Sequence, residues 1–192
     1  MRARRVACGA ILSALILAGC ATAYMEGRQA LYRGNYDEAA QRFEQILTEE
    51  PGRLDALAGL GIARYKQGAW DLAIQALEGV VGQRPENAEA RLYLALSHLQ
   101  KGDAAAADSQ LVALRQLALD PRFVAQIDRA TTVLRSGTLT EAVRSFVATS
   151  LESAADLVRE LRWAQLEVER ARLLATPPPC TLVRRHGILY CL

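Results

Sequence analysis

The chain of 192 residues is poor in the side chains that most often carry catalysis or bind metals. It contains two histidines, four cysteines and two tryptophans. It lacks the Gly-x-Ser-x-Gly, His-Glu-x-x-His and phosphate-loop motifs of common enzyme classes. Its carboxylates are scattered, and Glu49 and Glu50, directly before Pro51, are typical of a solvated helix end. We therefore predict that the protein is not an enzyme and binds neither a metal nor a cofactor.

The chain also lacks an apolar run long enough to cross a bilayer, which takes ~20 residues. Its N-terminal run over Val6–Gly19 is shorter, and it follows Arg2, Arg4 and Arg5. A basic start followed by a short apolar run is the layout of a secretory signal peptide. We therefore predict that residues 1–19 are removed and are not part of the fold.

The chain carries no excess of positive charge once residues 1–19 are set aside. Three of the 23 basic residues lie in it, so the chain from Cys20 onward carries 20 basic and 21 acidic side chains. A protein that binds nucleic acid usually presents a strongly basic surface. The charge balance therefore argues against nucleic acid as a partner.

Residues Leu17–Cys20 read Leu-Ala-Gly-Cys and end the apolar run. They resemble the lipobox of bacterial lipoproteins, in which the cysteine receives diacylglyceryl and, after cleavage before it, an acyl chain such as palmitate. The resemblance implies a covalent lipid on Cys20 that anchors the protein, since each buried methylene adds ~0.8 kcal/mol. The residue after Cys20 is Ala21 rather than aspartate. This resembles the default signal for sorting lipoproteins to the outer membrane, where the protein would face the periplasm. A plain signal peptide with an incidental cysteine is the alternative.

The chain from Cys20 onward repeats itself every 34 residues. Glycine, alanine and large apolar positions recur at that spacing: Gly34, Gly68 and Gly102; Ala39, Ala73 and Ala107; Phe43, Leu77 and Leu111. Pro51 and Pro85 end the first two units. The pattern resembles the tetratricopeptide repeat, an all-α solenoid of helix–turn–helix units. The resemblance implies three repeats, over 20–53, 54–87 and 88–121.

The second repeat shows why these residue types are needed. Gly61 and Ala73 are small, so the two helices of one repeat can approach closely. Gly68 can adopt the left-handed conformation that ends a helix without a steric penalty. Trp70 and Leu77 are expected to fill the space between this repeat and its neighbour.

Residues 122–156 resemble a degenerate fourth helical hairpin. Gly137, Leu139, Ala142 and Phe146 reproduce the end of the pattern, displaced by one residue. Relaxed terminal units are normal in solenoids. Two ordinary helices that follow the array are the alternative.

Residues 150–175 predict one amphipathic helix. Apolar residues recur at alternating steps of three and four: Ala154, Leu157, Leu161, Ala164, Val168 and Ala171. Because the last unit of a solenoid exposes an apolar face, we expect this helix to cap the array. Dimerisation through a short coiled-coil seam is the alternative.

The C-terminal residues 176–192 differ from everything before them. Pro177–Pro179 predict a stiff, extended spacer. Apolar residues typical of strands flank His186 and Gly187, which suggests a small hairpin. With Cys8 removed and Cys20 lipidated, two cysteines remain in an oxidising compartment, so we expect a disulfide between Cys180 and Cys191. A free reactive pair or a metal site is the alternative.

The tetratricopeptide resemblance also implies where a partner binds. In this family the first helices of successive repeats form a concave groove. Transferred position by position, the groove residues are Tyr24, Arg28, Leu31, Tyr32, Asp55, Ile62, Tyr65, Lys66, Glu89, Leu92, Leu96 and Leu99. Aromatic and basic residues come early and apolar residues late. This order suits an extended or helical peptide with an acidic group toward its N-terminal end.

These features together resemble the lipoproteins that serve pilus and secretion machines, either as pilotins of secretins or as assembly factors of the Tad type. The resemblance implies a membrane-anchored scaffold that binds a protein or peptide client and assists assembly. An adaptor for peptidoglycan enzymes is one alternative. A structural homo-oligomer held together by the helix over 150–175 is the other.

Overall fold

The computed structural model describes residues 23–137, 139–175, 182–185 and 188–191. The predicted signal peptide, Cys20 and Cys180 lie outside the described residues. Within them, the helices and strands are α1 (23–32), α2 (Tyr36–Glu49), α3 (Leu54–Lys66), α4 (Trp70–Gln83), α5 (Ala88–Lys101), α6 (Ala104–Leu117), α7 (Pro121–Arg135), α8 (Glu141–Ala175), β1 (Leu182–Arg185) and β2 (Ile188–Cys191).

The first six helices form three successive hairpins, which confirms the predicted all-α solenoid of helix–turn–helix units. Each hairpin turns at the recurring glycine, since Gly34, Gly68 and Gly102 have φ angles of 78°, 77° and 90°. Such positive values favour glycine because a Cβ atom would clash with the backbone. The 34-residue period therefore places the turns as well as the helices.

The core of the array consists of the large apolar residue that recurs in the second helix of each hairpin. Phe43, Leu77 and Leu111 are all buried. A Cβ atom added to Gly61 would lie 2.6 Å from Cγ of Leu77, so the predicted close approach within this hairpin is confirmed. Gly59 allows an equally close approach between the first and second hairpins, because a Cβ atom added to it would lie 2.5 Å from the ring of Phe43. Glycine thus brings α3 close to both α2 and α4.

Helices α7 and α8 follow the array with relaxed spacing. Asp120 caps α7 by accepting a hydrogen bond from the backbone nitrogen of Arg122 at 2.8 Å. Phe146, which the displaced repeat pattern aligns with Phe43, is 73% exposed. Val147 and Leu151 are buried instead. The longer connection before α8 shifts the buried face by one residue.

Helix α8 is continuous over 35 residues, so the fourth hairpin and the predicted capping helix share one element. The chain divides into two compact units, with the boundary after Leu151. In the second unit α8 is largely exposed, including Trp163 and Leu166. Its capping role stays a prediction. None of the helices within residues 23–137 and 139–175 combines the length and hydrophobicity of a membrane-spanning segment.

The second unit also contains the two strands. β1 and β2 pair antiparallel, with Leu182 opposite Cys191 and Arg185 opposite Ile188. This pairing confirms the hairpin predicted around residues 186 and 187. The disulfide stays a prediction, since its partner Cys180 lies outside the described residues.

Candidate peptide-binding groove

The predicted groove residues fall on the first helices of the three hairpins, α1, α3 and α5. Some of them are half-buried or exposed and can meet a ligand: Tyr24, Arg28, Leu31, Tyr32, Asp55, Lys66 and Glu89. These residues lie on the early repeats or at the start of α5. The accessible part of the predicted groove is therefore polar and aromatic.

The remaining predicted groove residues do not line an open surface, and their assignment is wrong. They are Ile62 at 5% exposure, Tyr65 at 8%, Leu92 at 3%, Leu96 at 0% and Leu99 at 1%. Helix α3 contacts α5 directly. The rings of Tyr65 and Tyr93 meet edge to face with their centroids 5.4 Å apart. These residues belong to the core.

An ion pair joins the first hairpin to the third. Nη1 of Arg28 lies 3.5 Å from Oε2 of Glu89, although the two residues are 61 positions apart in the chain. Nη2 of Arg28 donates a hydrogen bond to the hydroxyl oxygen of Tyr32 at 3.3 Å. The guanidinium carbon also lies 5.6 Å from the centre of the Tyr32 ring. Arg28 is thus held between an acidic and an aromatic neighbour.

A second arginine lies against the other tyrosine of α1. Cζ of Arg53 is 5.4 Å from the centre of the Tyr24 ring. Nε of Arg53 donates to Oδ1 of Asp55 at 2.9 Å, and the same oxygen accepts from the backbone nitrogen of Ala56 at 2.8 Å. We call Tyr24, Arg28, Tyr32, Arg53, Asp55 and Glu89 the polar cluster.

The protonation states in the polar cluster follow from burial and from its charges. Burial raises the pKa of Tyr24 above its ordinary value, partly offset by the positive charge of Arg28. Burial lowers the pKa of Arg28, but Glu89 and the hydrogen bond to Tyr32 outweigh it, so the pKa lies above its ordinary value. At neutral pH Tyr24 is therefore neutral and Arg28 is charged. The cluster contains two phenol groups, two guanidinium groups and the two carboxylates that pair with them.

Sequence reasoning missed Arg53. It directly precedes α3 and takes the N-cap position, where no side chain makes a capping hydrogen bond. The repeat pattern assigns groove positions only within the first helices, so Arg53 carried no signal. Only the packing of α1 beside the start of α3 reveals its contact with Tyr24.

Three solved structures of bacterial proteins have a similar fold. The translocator chaperone SycD of Yersinia enterocolitica matches with a TM-score of 0.55 and 23% identity, over 59% of this chain and 81% of that chain. A type III secretion complex from Aeromonas hydrophila matches with a TM-score of 0.59 and 21% identity, over 66% and 87%. PcrH from Pseudomonas aeruginosa matches with a TM-score of 0.51 and 22% identity, over 72% and 92%. At these identities the likeness concerns the fold alone.

A curated protein also shares sequence with the repeats. The CTR9 homolog of Arabidopsis thaliana is 38% identical over 72 residues, which are 37% of this chain. The match spans only 7% of the length of that relative. It therefore reflects the shared repeat.

The family profile described as tetratricopeptide repeat matches residues 24–83 and 60–121, together just over half of the chain. The matched segments contain α1 from its second residue onward, the helices α2 to α6, the turn glycines and the buried residues Phe43, Leu77 and Leu111. The protein is therefore a member of the tetratricopeptide-repeat family.

Proposed function

We propose that the protein is a non-enzymatic scaffold, anchored to the outer membrane through Cys20, that binds a peptide segment of a client protein and assists assembly of a pilus or secretion system. Membership of the repeat family supports the binding role. The structural likeness to SycD, a translocator chaperone of type III secretion, supports a client from a secretion machine. The lipobox-like Leu17–Cys20 supports the anchor.

The polar cluster is the place where the client binds. This assignment depends on one observation, the charged Arg28 held between Tyr32 and Glu89 on the accessible side of the first helices. Its distance of 3.5 Å from Glu89 is long for a charge-assisted hydrogen bond, which is usually 2.7–2.9 Å. A client carboxylate can therefore gain a closer contact with Arg28. Tyr32, beside Arg28, and Tyr24, beside Arg53, supply aromatic surface.

The client is thus an extended or helical segment with an acidic group, as the sequence predicted, but it does not reach the buried leucines of α5. Its apolar contacts come from the rings of Tyr24 and Tyr32 and from the half-buried Leu31. A segment that needs a deep apolar pocket does not fit this surface.

The test is capture of the client from detergent-solubilised envelopes by cross-linking to the full lipoprotein, with the captured proteins identified by mass spectrometry. The Arg28→Gln variant should bind the client about 10- to 150-fold more weakly and capture correspondingly less of it, since a hydrogen bond to a charged group contributes about 1.5–3 kcal/mol. The matched control is Arg122→Gln, at an exposed arginine on α7 outside the groove.

Three outcomes separate the parts of the proposal. Equal capture by both variants would reject the polar cluster as the binding site. Recovery of peptidoglycan enzymes instead of pilus or secretion subunits would reject the proposed role in pilus or secretion assembly, while the proposed role as a binding scaffold would stand. Absence of lipid on the purified chain, measured by intact mass, would reject the anchor.

A further inference from the structure

The second unit exposes an unusual amount of apolar surface on one helix. In α8 the side chains of Leu157, Leu166 and Val168 are 50%, 55% and 54% exposed. Trp163, Leu173 and Leu174 are exposed as well. A concentration of exposed apolar side chains on one element marks an interaction surface.

Two of these residues, Leu157 and Val168, belong to a regular seam. We define the seam as Ala154, Leu157, Leu161, Ala164, Val168 and Ala171, which all lie within the continuous helix α8. Steps of three and four residues are the spacing of the a and d positions of a heptad repeat. Leu161 and Val168 then lie at a positions, and Leu157 lies at a d position. A β-branched residue at a with leucine at d favours two parallel strands, and here Val168 and Leu157 fit this pattern.

We propose that the seam binds the seam of a second copy of this chain, with the two α8 helices parallel. The charges beside the seam decide the orientation, since residues at g and e set partner choice and direction in coiled coils. In the parallel arrangement Glu167, at g, faces Arg172, at e, of the second copy. An antiparallel arrangement that matches the same layers brings Glu160 opposite Glu167 of the second copy, and equal charges repel there.

The charges also argue against a lipid surface as the occupant. Helices that lie on membranes are typically rich in lysine and arginine on their polar face. The C-terminal part of α8 instead carries similar numbers of acidic and basic residues. The acidic ones are Glu152, Asp156, Glu160, Glu167 and Glu169, and the basic ones are Arg159, Arg162, Arg170 and Arg172. This balance gives no attraction to anionic lipids. It does provide pairs of opposite charge for a second copy.

The first test is disulfide trapping of the full chain kept in detergent, with Ala171→Cys. In the parallel dimer the two substituted positions share one layer, within disulfide reach, while in the antiparallel one they are about 26 Å apart along the helix axis. The matched control is Leu166→Cys, exposed on the opposite face of the same helix. The unsubstituted chain gives the background from the native cysteines.

We expect covalent dimer from Ala171→Cys and only background from Leu166→Cys. Equal amounts of covalent dimer from both variants would show that the helices meet without a defined seam. More covalent dimer from Leu166→Cys would place the contact on the opposite face of α8. Either result would overturn the proposal, as would background alone from both variants.

The second test exchanges the flanking charges and measures the dissociation constant of the full chain by sedimentation. Glu167→Arg and Arg172→Glu should each weaken the dimer about tenfold, because an attractive pair becomes repulsive at two symmetric places. The double variant should restore the original affinity, since it recreates opposite charges. Failure of this rescue, or a monomer at every concentration, would overturn the proposal. A monomer that binds vesicles or only a different protein would also overturn it.

Discussion

At the scale of single residues, side-chain size decides how closely the helices of the array approach. The ring of Phe43 fills the space beside two glycines, since a Cβ atom added at Gly27 would lie 2.9 Å away and one at Gly59 only 2.5 Å away. Phe43 is itself fully buried. Any larger residue at Gly59 must therefore displace the ring or separate α3 from α2.

Gly59→Ala should lower the free energy of unfolding by about 1–3 kcal/mol, because an added methyl group overpacks a rigid ring. Chemical denaturation measures the effect. The matched control is Gly82→Ala, in the last turn of α4, where an added Cβ meets nothing within 4 Å. That variant should gain a few tenths to about 1 kcal/mol from reduced chain entropy. Equal effects at both positions would contradict the packing role of Gly59.

At the scale of elements, two arginine–aspartate pairs connect α7 to the array. Nε of Arg115 on α6 lies 2.6 Å from Oδ1 of Asp128 on α7, and Nη2 lies 3.3 Å from Oδ2. In the opposite direction, Nη2 of Arg135 on α7 donates to Oδ2 of Asp108 on α6 at 2.8 Å. The pair of Arg115 with Asp128 is bidentate, and such pairs fix geometry as well as adding energy. They align α7 where the repeat pattern is weakest.

Asp128→Asn should lower the melting temperature at neutral pH but not in strong acid. The hydrogen bond and the charge of Arg115 lower the pKa of Asp128 below its ordinary value of 3.8. The pair therefore stabilises the fold above the ordinary pKa, and its contribution disappears as the pH falls through the lowered value. Thermal unfolding at pH 7 and at successively lower pH measures the difference from the native chain. Glu86→Gln, at an exposed turn, should show no such dependence, and a difference that persists in acid would refute the assignment.

At the scale of the whole molecule, α5 in the third hairpin contributes mostly to the core, whereas α1 in the first hairpin contributes accessible residues to the polar cluster. Helix α5 buries eight residues, among them Leu92, Leu96 and Leu99. Tyr32 on α1 is 68% exposed. Stability and client binding therefore depend on different ends of the same row of first helices.

Leu96→Ala and Tyr32→Ala should separate these two properties. Leu96→Ala should lower the free energy of unfolding by about 2–5 kcal/mol, because it leaves a cavity at a fully buried site. Client capture, measured well below its melting temperature, should stay unchanged. Tyr32→Ala should leave the melting temperature nearly unchanged and reduce capture. The reverse pattern would restore Leu96 to the groove and remove Tyr32 from it.

The sequence alone predicted the elements that depend on local chemistry. The period of 34 residues places the turns at Gly34, Gly68 and Gly102, where φ is positive, and the buried residues Phe43, Leu77 and Leu111. These features are predictable because helix periodicity and glycine conformation act over a few residues and recur in every repeat. The C-terminal hairpin follows from the same kind of local pattern.

Only the tertiary structure decided which faces of these helices remain accessible. The repeat pattern assigned Leu96 to the groove, but Leu96 is fully buried in the structure. Phe146 occupies the expected register of a core residue, but the connection before α8 turns it outward. Arg53 contacts Tyr24, and Arg28 pairs with Glu89. The repeat spacing relates neither of these two pairs of residues. Periodicity defines the faces of a helix, whereas burial depends on how closely distant helices approach, and that is a property of the assembled array.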